Sequence, residues 1–493
     1  MSAGLAAFIA ANMAPLMFAS MVMFLLLGYP VAFSLAANGI LFGLIGIELG
    51  LLDASLFQAL PQRIWSVMSN DTLLAVPFFT LMGLILERSG MAEDLLDTIG
   101  QLFGRVRGGL AYAVVFVGTL LAATTGVVAA SVISMGLISL PIMLRYGYDR
   151  RFASGVIAAS GTLAQIIPPS LVLIILADQL GRSVGDMYAG ALIPGLTLAG
   201  FYLLYAIGVS LAKPEWAPAL PPAAITRSGL ALARRALVVL VPPLGLVFLV
   251  LGTIFLGIAT PTEGGAMGAA GALILAVARR RLSWSLLAQA LDSTARISAF
   301  VLFILIGARV FSLTFYGVDG HLWVEHLLLE LPGGPLGFLI VVNLLIFVLA
   351  FFLDFFELAF IVVPLLAPVA AKLGIDLVWF GVLLGVNMQT SFMHPPFGFA
   401  LFYLRSVAPA RDYVDKVSGA RIGKVTTGQI YWGAVPFVLI QLVMVSLVIA
   451  FPELVTWGLD AGTGVDPASV QITVPADVDD ELYWPSGGEV PRI

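Results

Sequence analysis

The chain has 493 residues, of which 60% are hydrophobic and 11% charged, and its mean hydropathy is +1.04. Soluble domains average roughly 25% charged residues, so this composition excludes a soluble enzyme and a disordered scaffold. The net charge of −5 excludes a nucleic-acid-binding surface. Cysteine is absent and the three histidines are scattered, which excludes disulfides, thiolate sites and a zinc or haem centre. The long apolar runs predict an all-α polytopic membrane protein rather than a β-barrel.

Twelve apolar segments follow one another along the chain, and the first begins without the basic region of a signal peptide. Ten of them have the length of one crossing, whereas 109–144 and 336–370 hold 36 and 35 residues. Each of these two is long enough to form a re-entrant helical hairpin. The segments are 5–27, 31–50, 72–88, 109–144, 152–176, 188–211, 236–256, 262–278, 293–313, 336–370, 377–403 and 429–451.

The basic residues predict how these segments are oriented. In the arrangement that results, 18 of the 24 Lys and Arg residues lie on one side, which the positive-inside rule assigns to the cytoplasm. Hairpin 109–144 then opens to the cytoplasm and hairpin 336–370 opens to the outside. The loop 314–335, the acidic tail 452–493 and both termini are predicted to face outside.

Two halves of the chain match at an offset of 227 residues. The first repeat is predicted to span 1–235 and the second 236–451, each with six elements and with opposite orientations. Such an inverted-topology repeat is typical of secondary transporters, whose site lies near the midplane where the repeats meet. The matched pairs are Pro141 with Pro368, Gly147 with Gly374, Asp149 with Asp376, Pro168 with Pro395, and Pro169 with Pro396.

Four polar breaks interrupt the apolar segments at places related by this repeat. A Pro-Pro pair removes two helix hydrogen-bond donors, so polar residues just before it can turn oxygens toward a small cation or a polar solute. The alternative for each pair is a simple helix kink. The breaks comprise Thr124, Thr125 and Gly126; Asp354; Ser160, Gly161 and Thr162 before Pro168; and Asn387 to Ser391 before Pro395.

Several of these residues have a structural interpretation beside the functional one. Thr124 and Thr125 are candidates for bonding to their own helix backbone. Asp354 is a functional candidate because a carboxylate within a membrane is costly, but it is also placed to pair with Arg309 or Arg296. Arg309 is therefore either the partner of Asp354 or a contact for an anion.

Two further polar residues are expected to be structural. Glu263, in the run ATPTEGG, is expected to stabilise a helix N-terminus. His394 is interpreted as a packed polar residue rather than a ligand.

Three classes of function fit a chain of this kind. An ion-coupled importer is favoured, with Na⁺ preferred over H⁺ because Ser, Thr, Asn and Gln oxygens dominate the breaks. A channel would show a continuous polar lining, and an intramembrane enzyme would need a catalytic pair, for which Asp354 and Glu357 are the nearest candidates. No nucleotide-binding or hydrolase motif is present in the sequence. We therefore expect neither enzymatic activity nor a cofactor, with Na⁺ as the coupling ion.

The runs GGLAYAVVFVGTLLAATTG, GYDRRFASGVIAASGTLAQIIPPS, GIATPTEGG and NMQTSFMHPPFG resemble the large membrane subunit of TRAP (tripartite ATP-independent periplasmic) transporters. The resemblance covers about residues 5–450. It implies an elevator-type, Na⁺-driven importer of carboxylates in the bacterial inner membrane, with periplasmic termini. It also implies a small membrane subunit of four helices, not fused here, and a periplasmic solute-binding protein.

Carried over by position, the resemblance implies two Na⁺ sites and a solute site. The TTGVV tip and the HPP break depart from the commoner family pattern, and SFMHPPFG resembles the mannitol or chloroaromatic branch, whose solutes include small 2-oxo and 2-hydroxy acids. The implied Na⁺ ligands are Thr124, Thr125, Gly126, Ser160, Gly161 and Thr162 in one site, and Leu353, Asp354, Asn387, Gln389 and Thr390 in the other. The implied solute contacts are Thr125, Thr162, Pro168, Asp354, Arg309, Ser391, His394 and Pro395.

The same repeat predicts which parts would move. Residues 109–176 and 336–403 would form one sliding unit, and 5–50 with 236–278 would belong to a fixed scaffold. The alternative is a stand-alone ion-coupled transporter or a channel of another family.

Overall fold

The computed structural model describes residues 3–395 and 398–459, with the side chains of all but Ala3, Leu26, Thr124 and Thr125. Apart from one two-stranded ribbon, the regular structure of these residues is helical. The helices are α1 (Ala3–Ala11), α2 (Met13–Leu26), α3 (Val31–Glu48), α4 (Leu60–Met68), α5 (Ala75–Arg88), α6 (Met91–Phe103), α7 (Gly109–Thr125), α8 (Val128–Arg145), α9 (Arg150–Thr162), α10 (Leu171–Leu180), α11 (Val184–Ala212), α12 (Gly229–Phe255), α13 (Pro261–Ala278), α14 (Trp284–Gly317), α15 (Gly320–Leu329), α16 (Gly334–Leu349), α17 (Phe355–Glu357), α18 (Val363–Lys372), α19 (Leu377–Met388), α20 (Phe399–Val407), α21 (Thr427–Ala450) and α22 (Glu453–Thr456). Strands β1 (Tyr413–Val414) and β2 (Arg421–Ile422) pair antiparallel.

Eight helices in the described residues are long and apolar enough to cross a membrane, and up to eleven spans result if each bent helix pair counts as one. The bent pairs are α1 with α2, α4 with α5, and α15 with α16, with bends of 81°, 48° and 117°. Every predicted apolar segment contains a helix. The prediction of an all-α polytopic membrane protein is confirmed.

The structure corrects the prediction that 314–335 is a loop. Helix α14 continues to Gly317 and α15 occupies Gly320–Leu329. One of the acidic residues of this segment forms an ion pair, since the Glu325 carboxylate of α15 lies 2.5 Å from the Lys372 Nζ of α18. Of the predicted tail 452–493, only residues up to 459 are described, and the rest lies outside the described residues.

Both long apolar segments fold as two helices separated by a short break. In the first, α7 and α8 flank Gly126 and Val127. In the second, α16 ends at Leu349, and a continuous helix Phe355–Lys372 follows, which comprises α17, a π-helical turn and α18. How these helix pairs lie relative to a membrane stays a prediction.

The residues that match at the offset of 227 have the same structural roles. Gly147 and Gly374 have positive φ values of +82° and +71°, which suits glycine at a turn after a helix. Asp149 caps α9 by accepting from two backbone N–H groups, and Asp376 caps α19 by accepting from the N–H of Trp379. The matched glycines and aspartates therefore mark where one helix ends and the next begins.

Helix contacts are also related by the offset. Helix α3 packs against α14, and their counterparts α13 and α5 pack against each other. Helix α21 packs against α9, and their counterparts α11 and α19 do the same. An approximate twofold relationship would produce this exchange. The repeat boundaries at 235 and 236 stay a prediction.

Candidate functional site

A cavity of about 370 Å³ lies where the four predicted breaks meet. Its volume is within the range of small-molecule sites, roughly 300–1,000 Å³. The break between α7 and α8, the break before α17, and α14 all border this cavity. So do the two broken helices, which are α9 with α10 in the first repeat and α19 with α20 in the second. The lining is Gly126 to Ala129, Gln165, Leu171, Val172, Ile297, Phe300, Asp354 to Glu357, Phe392, Phe399 and Tyr403.

The tip of the first hairpin is shaped by Gly126. This residue has φ +58° and ends α7 in the left-handed conformation, which favours glycine. A Cβ added to it would lie 3.4 Å from the carbonyl oxygen of Pro169 and 3.5 Å from the backbone nitrogen of Leu171. The tip therefore rests on the break of the first broken helix. Thr124 and Thr125 end α7, and their side chains lie outside the described structure.

The tip of the second hairpin places two carboxylates in the cavity. The Asp354 carboxylate accepts from the N–H of Phe355 at 2.7 Å, and the Glu357 carboxylate accepts from the N–H of Asp354 at 3.0 Å. This capping box fixes both side chains at the start of α17. The described lining contains no Lys, Arg or His, so the cavity has an acidic wall and an otherwise largely apolar surface, to which six aromatic side chains contribute.

The alternative that Asp354 pairs with Arg309 or Arg296 is wrong, because Asp354 forms no ion pair within the described part of the chain. Arg296 pairs with Asp292 on its own helix at 2.8 Å. Arg309 is not among the residues that line the cavity, and its buried Nε has no hydrogen-bond partner among the described residues. It lies nine positions beyond Phe300 on α14, which is more than two helical turns away, because an α-helix has about 3.6 residues per turn.

The two broken helices meet through their polar residues. The Gln389 Nε2 donates to the Thr162 Oγ1 at 3.2 Å, and the Thr162 hydroxyl donates to the carbonyl of Ala159 at 2.8 Å. Both side chains are fully buried. The family resemblance implies that these residues belong to different Na⁺ sites, and the structure brings them into contact.

Several buried oxygen and nitrogen atoms around this junction lack a partner among the described residues. They are the Ser160 Oγ, the Gln389 Oε1, and both amide atoms of Gln165. Buried polar atoms are nearly always satisfied, so these atoms are available to a polar ligand or an ion. Gln165 also lines the cavity, and its position directly before Ile166, Ile167 and the Pro-Pro pair is the signal that would have identified it.

Other predicted ligands form hydrogen bonds within the protein. The Thr390 and Ser391 hydroxyls donate to backbone carbonyls of their own helical turn. The Asn387 Nδ2 donates to the backbone and side-chain oxygens of Asn343 at 2.7 and 3.0 Å. Asn343 on α16 was not predicted, because the offset that relates the repeats does not indicate contacts between neighbouring helices.

The predicted glycine and leucine ligands occupy packed positions. A Cβ on Gly161 would lie 2.3 Å from the Val132 Cγ2, so its lack of a side chain allows α9 and α8 to approach closely. Gly118 on α7 has the same role against α9, because a Cβ added to it would lie 2.6 Å from the Ser160 Cβ. Leu353 is buried next to Asp354.

The remaining predicted solute contacts are dispersed. His394 stacks on Phe351 and meets Phe347 edge-on, with ring centroids 4.3 Å away in each case, as expected of a packed residue. Pro168 faces a separate apolar cavity between α7, α11 and α12. Pro395 follows His394, and the next residue, Pro396, lies outside the described residues. Glu263 forms a capping box with Thr260, which agrees with its predicted helix N-terminal role.

Comparison with known proteins identifies the family. Residues 18–454 match the model of the tripartite ATP-independent periplasmic transporter, DctM component. The chain belongs to the DctM family. The family assignment made from the sequence is thereby confirmed, and this chain is a large permease subunit of the TRAP type. Its assignment to the mannitol or chloroaromatic branch stays a prediction.

Relatives of this DctM chain transport several kinds of solute according to their names. The C4-dicarboxylate TRAP transporter large permease of Pseudomonas aeruginosa is 32% identical over 80% of this chain and 88% of its own length. The ectoine TRAP transporter large permease of Halomonas elongata is 28% identical over 90% of this chain and 98% of its own length. The sialic acid TRAP transporter permease of Haemophilus influenzae is 26% identical over 87% of this chain and 66% of its own length.

A solved structure shares the fold of this DctM chain. The YdaH transporter of Alcanivorax borkumensis, described as having an unusual topology, aligns with a TM-score of 0.56 and 16% identity over 82% of this chain and 90% of that one. The likeness supports a multi-pass helical membrane fold.

Proposed function

We propose that this chain is the transport subunit of a Na⁺-driven, binding-protein-dependent importer of small organic acids. The observation that carries the proposal is the cavity between the two hairpin tips, which reaches both broken helices and contains Asp354 and Glu357. The named relatives, which transport C4-dicarboxylates, sialic acid and ectoine, supply the solute class. Carboxylates, including 2-oxo, 2-hydroxy and aromatic acids, are the solutes that we expect.

The acidic cavity explains why a cation would accompany an anionic solute. Two negative charges about 5 Å apart repel each other by roughly 3 kcal/mol at an effective dielectric constant near 20. A carboxylate solute next to Asp354 or Glu357 would meet this repulsion unless a cation lay between them. Na⁺ suits the site because the Asp354 and Glu357 carboxylates and the unpartnered Gln165 amide oxygen line the cavity. The unpartnered Gln389 oxygen lies at the neighbouring junction of α9 and α19. Binding of ion and solute would then depend on each other.

An elevator movement is the mechanism that we propose for crossing the membrane. The sliding unit would contain α7 to α10 and α16 to α20, which supply all of the cavity lining except Ile297 and Phe300 of α14. Helices α11 and α21 would move with it, because α21 meets α9 so closely that a Cβ on Gly155 would lie 2.1 Å from the Gly433 carbonyl oxygen. The scaffold would contain α3, α5, α13 and α14, which pack on one another. Ion and solute binding need bias two nearly equal states by only a few kcal/mol.

The proposed partners are those of a tripartite system. A small four-helix membrane subunit would bind the scaffold, and a periplasmic solute-binding protein would deliver the solute from outside the bacterial inner membrane. Both termini of this chain would face the periplasm. The protein would act without an enzymatic step.

Na⁺ binding can be tested on the purified chain without knowledge of the solute. A ligand present at ten times its dissociation constant stabilises the folded state by about 1.4 kcal/mol. We expect the unfolding temperature to rise with NaCl relative to KCl at equal ionic strength, and the rise to be lost in Asp354→Asn and in Gln165→Leu. Glu263→Gln is the matched control, because it removes a carboxylate from an equivalent capping box outside the cavity. Equal unfolding temperatures of the wild type in both salts would count against Na⁺ coupling.

A further inference from the structure

A further cavity, of about 550 Å³ and open to the surface, lies away from the central one at the junction of α6, α12 and α13. Five arginines and one carboxylate line it, and its remaining walls are alanine and valine. The charged residues are Asp94, Arg227, Arg234, Arg235, Arg279 and Arg281. We refer to this cavity as the arginine pocket.

Asp94 organises three of the five guanidinium groups. The Arg235 Nη2 lies 3.3 Å from the Asp94 Oδ1, and the Arg279 Nη1 and Arg281 Nη2 each lie 3.7 Å from its Oδ2. Arg279 is further fixed because its Nη2 donates to the backbone carbonyl of Val238 at 2.8 Å. One carboxylate therefore holds three cations at the same place.

The positive charge of the pocket remains largely uncompensated. Asp97 adds a contact of 3.6 Å to Arg235 at the rim, but Arg227 and Arg234 form no ion pair with any described residue. The buried Nη1 of Arg227 also lacks a hydrogen-bond partner within the described part of the chain. Guanidinium groups bind phosphate oxygens in a planar, often two-point geometry, so the pocket is suited to a phosphate group.

The surroundings of the pocket favour a phosphate that belongs to a lipid. The arginines stand at the start of α12 and the end of α13, both of which are candidate membrane spans. Directly beyond them, α12 exposes a strip of aliphatic side chains, with Leu237, Val238 and Val241 exposed by 62%, 60% and 54%. Cationic side chains beside exposed aliphatic ones match a phospholipid at the boundary between headgroup and acyl chains.

The fold itself does not require this cluster. At the offset of 227, Asp94, Arg235 and Arg279 correspond to His321, Phe8 and Leu52, so the related corner of α1, α3 and α15 has no arginine at these places. The positive-inside rule explains basic residues on the predicted cytoplasmic side but not their convergence. Arg105 and Arg107 satisfy the same rule from exposed loop positions.

We propose that the arginine pocket binds the phosphate headgroup of an anionic phospholipid of the surrounding membrane. Arg227 and Arg234 would donate to the phosphate oxygens, Asp94 would hold Arg235, Arg279 and Arg281 in place, and the exposed strip of α12 would contact the acyl chains. This assignment is independent of the solute and of the coupling ion.

Native mass spectrometry of the delipidated, detergent-solubilised chain tests the proposal. Titration with dioleoylphosphatidylglycerol and with dioleoylphosphatidylcholine should give at least tenfold tighter binding of the anionic lipid. The double variant Arg227→Gln/Arg234→Gln leaves the Asp94 cluster intact and should weaken binding of phosphatidylglycerol by roughly 30-fold, because each arginine near a membrane surface contributes about fivefold. The control Arg105→Gln/Arg107→Gln removes the same charge and should bind as the wild type does.

Three results would overturn the proposal. The first is equal binding of the two lipids by the wild type. The second is unchanged binding in the Arg227→Gln/Arg234→Gln variant, or in Arg234→Gln alone if the double variant does not fold. The third is displacement of phosphatidylglycerol by equimolar inorganic phosphate, which would assign the pocket to a soluble anion.

Discussion

Thr162 and Gln389 stand 227 positions apart, occupy equivalent places at the ends of α9 and α19, and are hydrogen-bonded to each other at 3.2 Å. The break in each repeat therefore supports the break in the other. Tyr202, whose hydroxyl accepts from the Gln441 Nε2 at 2.9 Å, also interacts with Thr162 and extends the contact to α11 and α21. The centre of the protein is thus a buried polar junction between two broken helices, next to the acidic cavity.

Loss of this junction should destabilise the fold more than a surface change would. Thr162→Val removes the acceptor and leaves the Gln389 amide buried without a partner, which costs about 1–3 kcal/mol. We expect a lower unfolding temperature for Thr162→Val and for Gln389→Leu alone, and a smaller loss in the double variant than the two single losses predict. Strictly additive losses in a double-mutant cycle would show that the two side chains are not coupled.

Close approach of α9 and α21 should make Gly155 intolerant of a side chain. A Cβ at this position would lie 2.1 Å from the Gly433 carbonyl oxygen, and a backbone atom cannot move aside as a side chain can. Gly155→Ala should lower the free energy of unfolding by roughly 1–3 kcal/mol or more, with a matching loss of folded yield in size-exclusion chromatography. Gly200→Ala is the control, because a Cβ there meets no atom within 4 Å. Equal yields from the two variants would contradict the packing described here.

The ribbon of β1 and β2 should be held to α8 by a pair of charged residues over a wide pH range. The Arg145 guanidinium donates to the Asp415 carboxylate at 2.9 and 3.0 Å and, with the Ser418 N–H, holds the pKa of Asp415 well below its ordinary value of 3.8. Because folding lowers the pKa of Asp415, this contact stabilises the folded state at pH values above the ordinary pKa of the carboxyl. The stabilisation is lost as the pH falls through the lowered pKa.

Limited proteolysis can measure this contact, because Lys416 and Arg421 lie within the ribbon. Asp415→Asn should accelerate cleavage by trypsin at both sites at pH 7 to 8, where the wild type is protected. A far-ultraviolet circular dichroism comparison should show the two proteins equally helical in that range. Equal cleavage rates would mean that the pair does not restrain the ribbon.

Much of this architecture follows from the sequence, but the contacts at the site do not. The apolar segments, the Asp149 and Asp376 caps and the paired glycines are local signals, so their places were predictable. The contacts of Asn343 with Asn387 and the separation of Arg309 from Asp354 depend on how helices pack. Apolar residues cover both buried and lipid-facing helix surfaces in membranes, so the sequence pattern does not indicate which faces meet.

Movement of the sliding unit can be tested with cysteine pairs, since the chain contains no cysteine. Asn70 lies outside the proposed unit and donates to Asp178 of α10 at 2.6 Å. Cross-linking of Asn70→Cys/Asp178→Cys should stop transport, and reduction should restore it. The control pair Arg145→Cys/Asp415→Cys joins two parts of the sliding unit and should leave transport unchanged. Full activity with the first pair completely cross-linked would contradict the proposed boundary.

Uptake by the reconstituted system is the decisive test of Na⁺-driven import that depends on a binding protein. The measurement uses proteoliposomes with this chain, its small membrane subunit and its solute-binding protein, and compares an inward Na⁺ gradient with a K⁺ gradient and with a pH gradient alone. We expect uptake of an organic acid only with the Na⁺ gradient and with the binding protein present, and we expect its loss in Asp354→Asn but not in Glu263→Gln. Unchanged uptake driven by the pH gradient with K⁺ in place of Na⁺ would contradict this expectation.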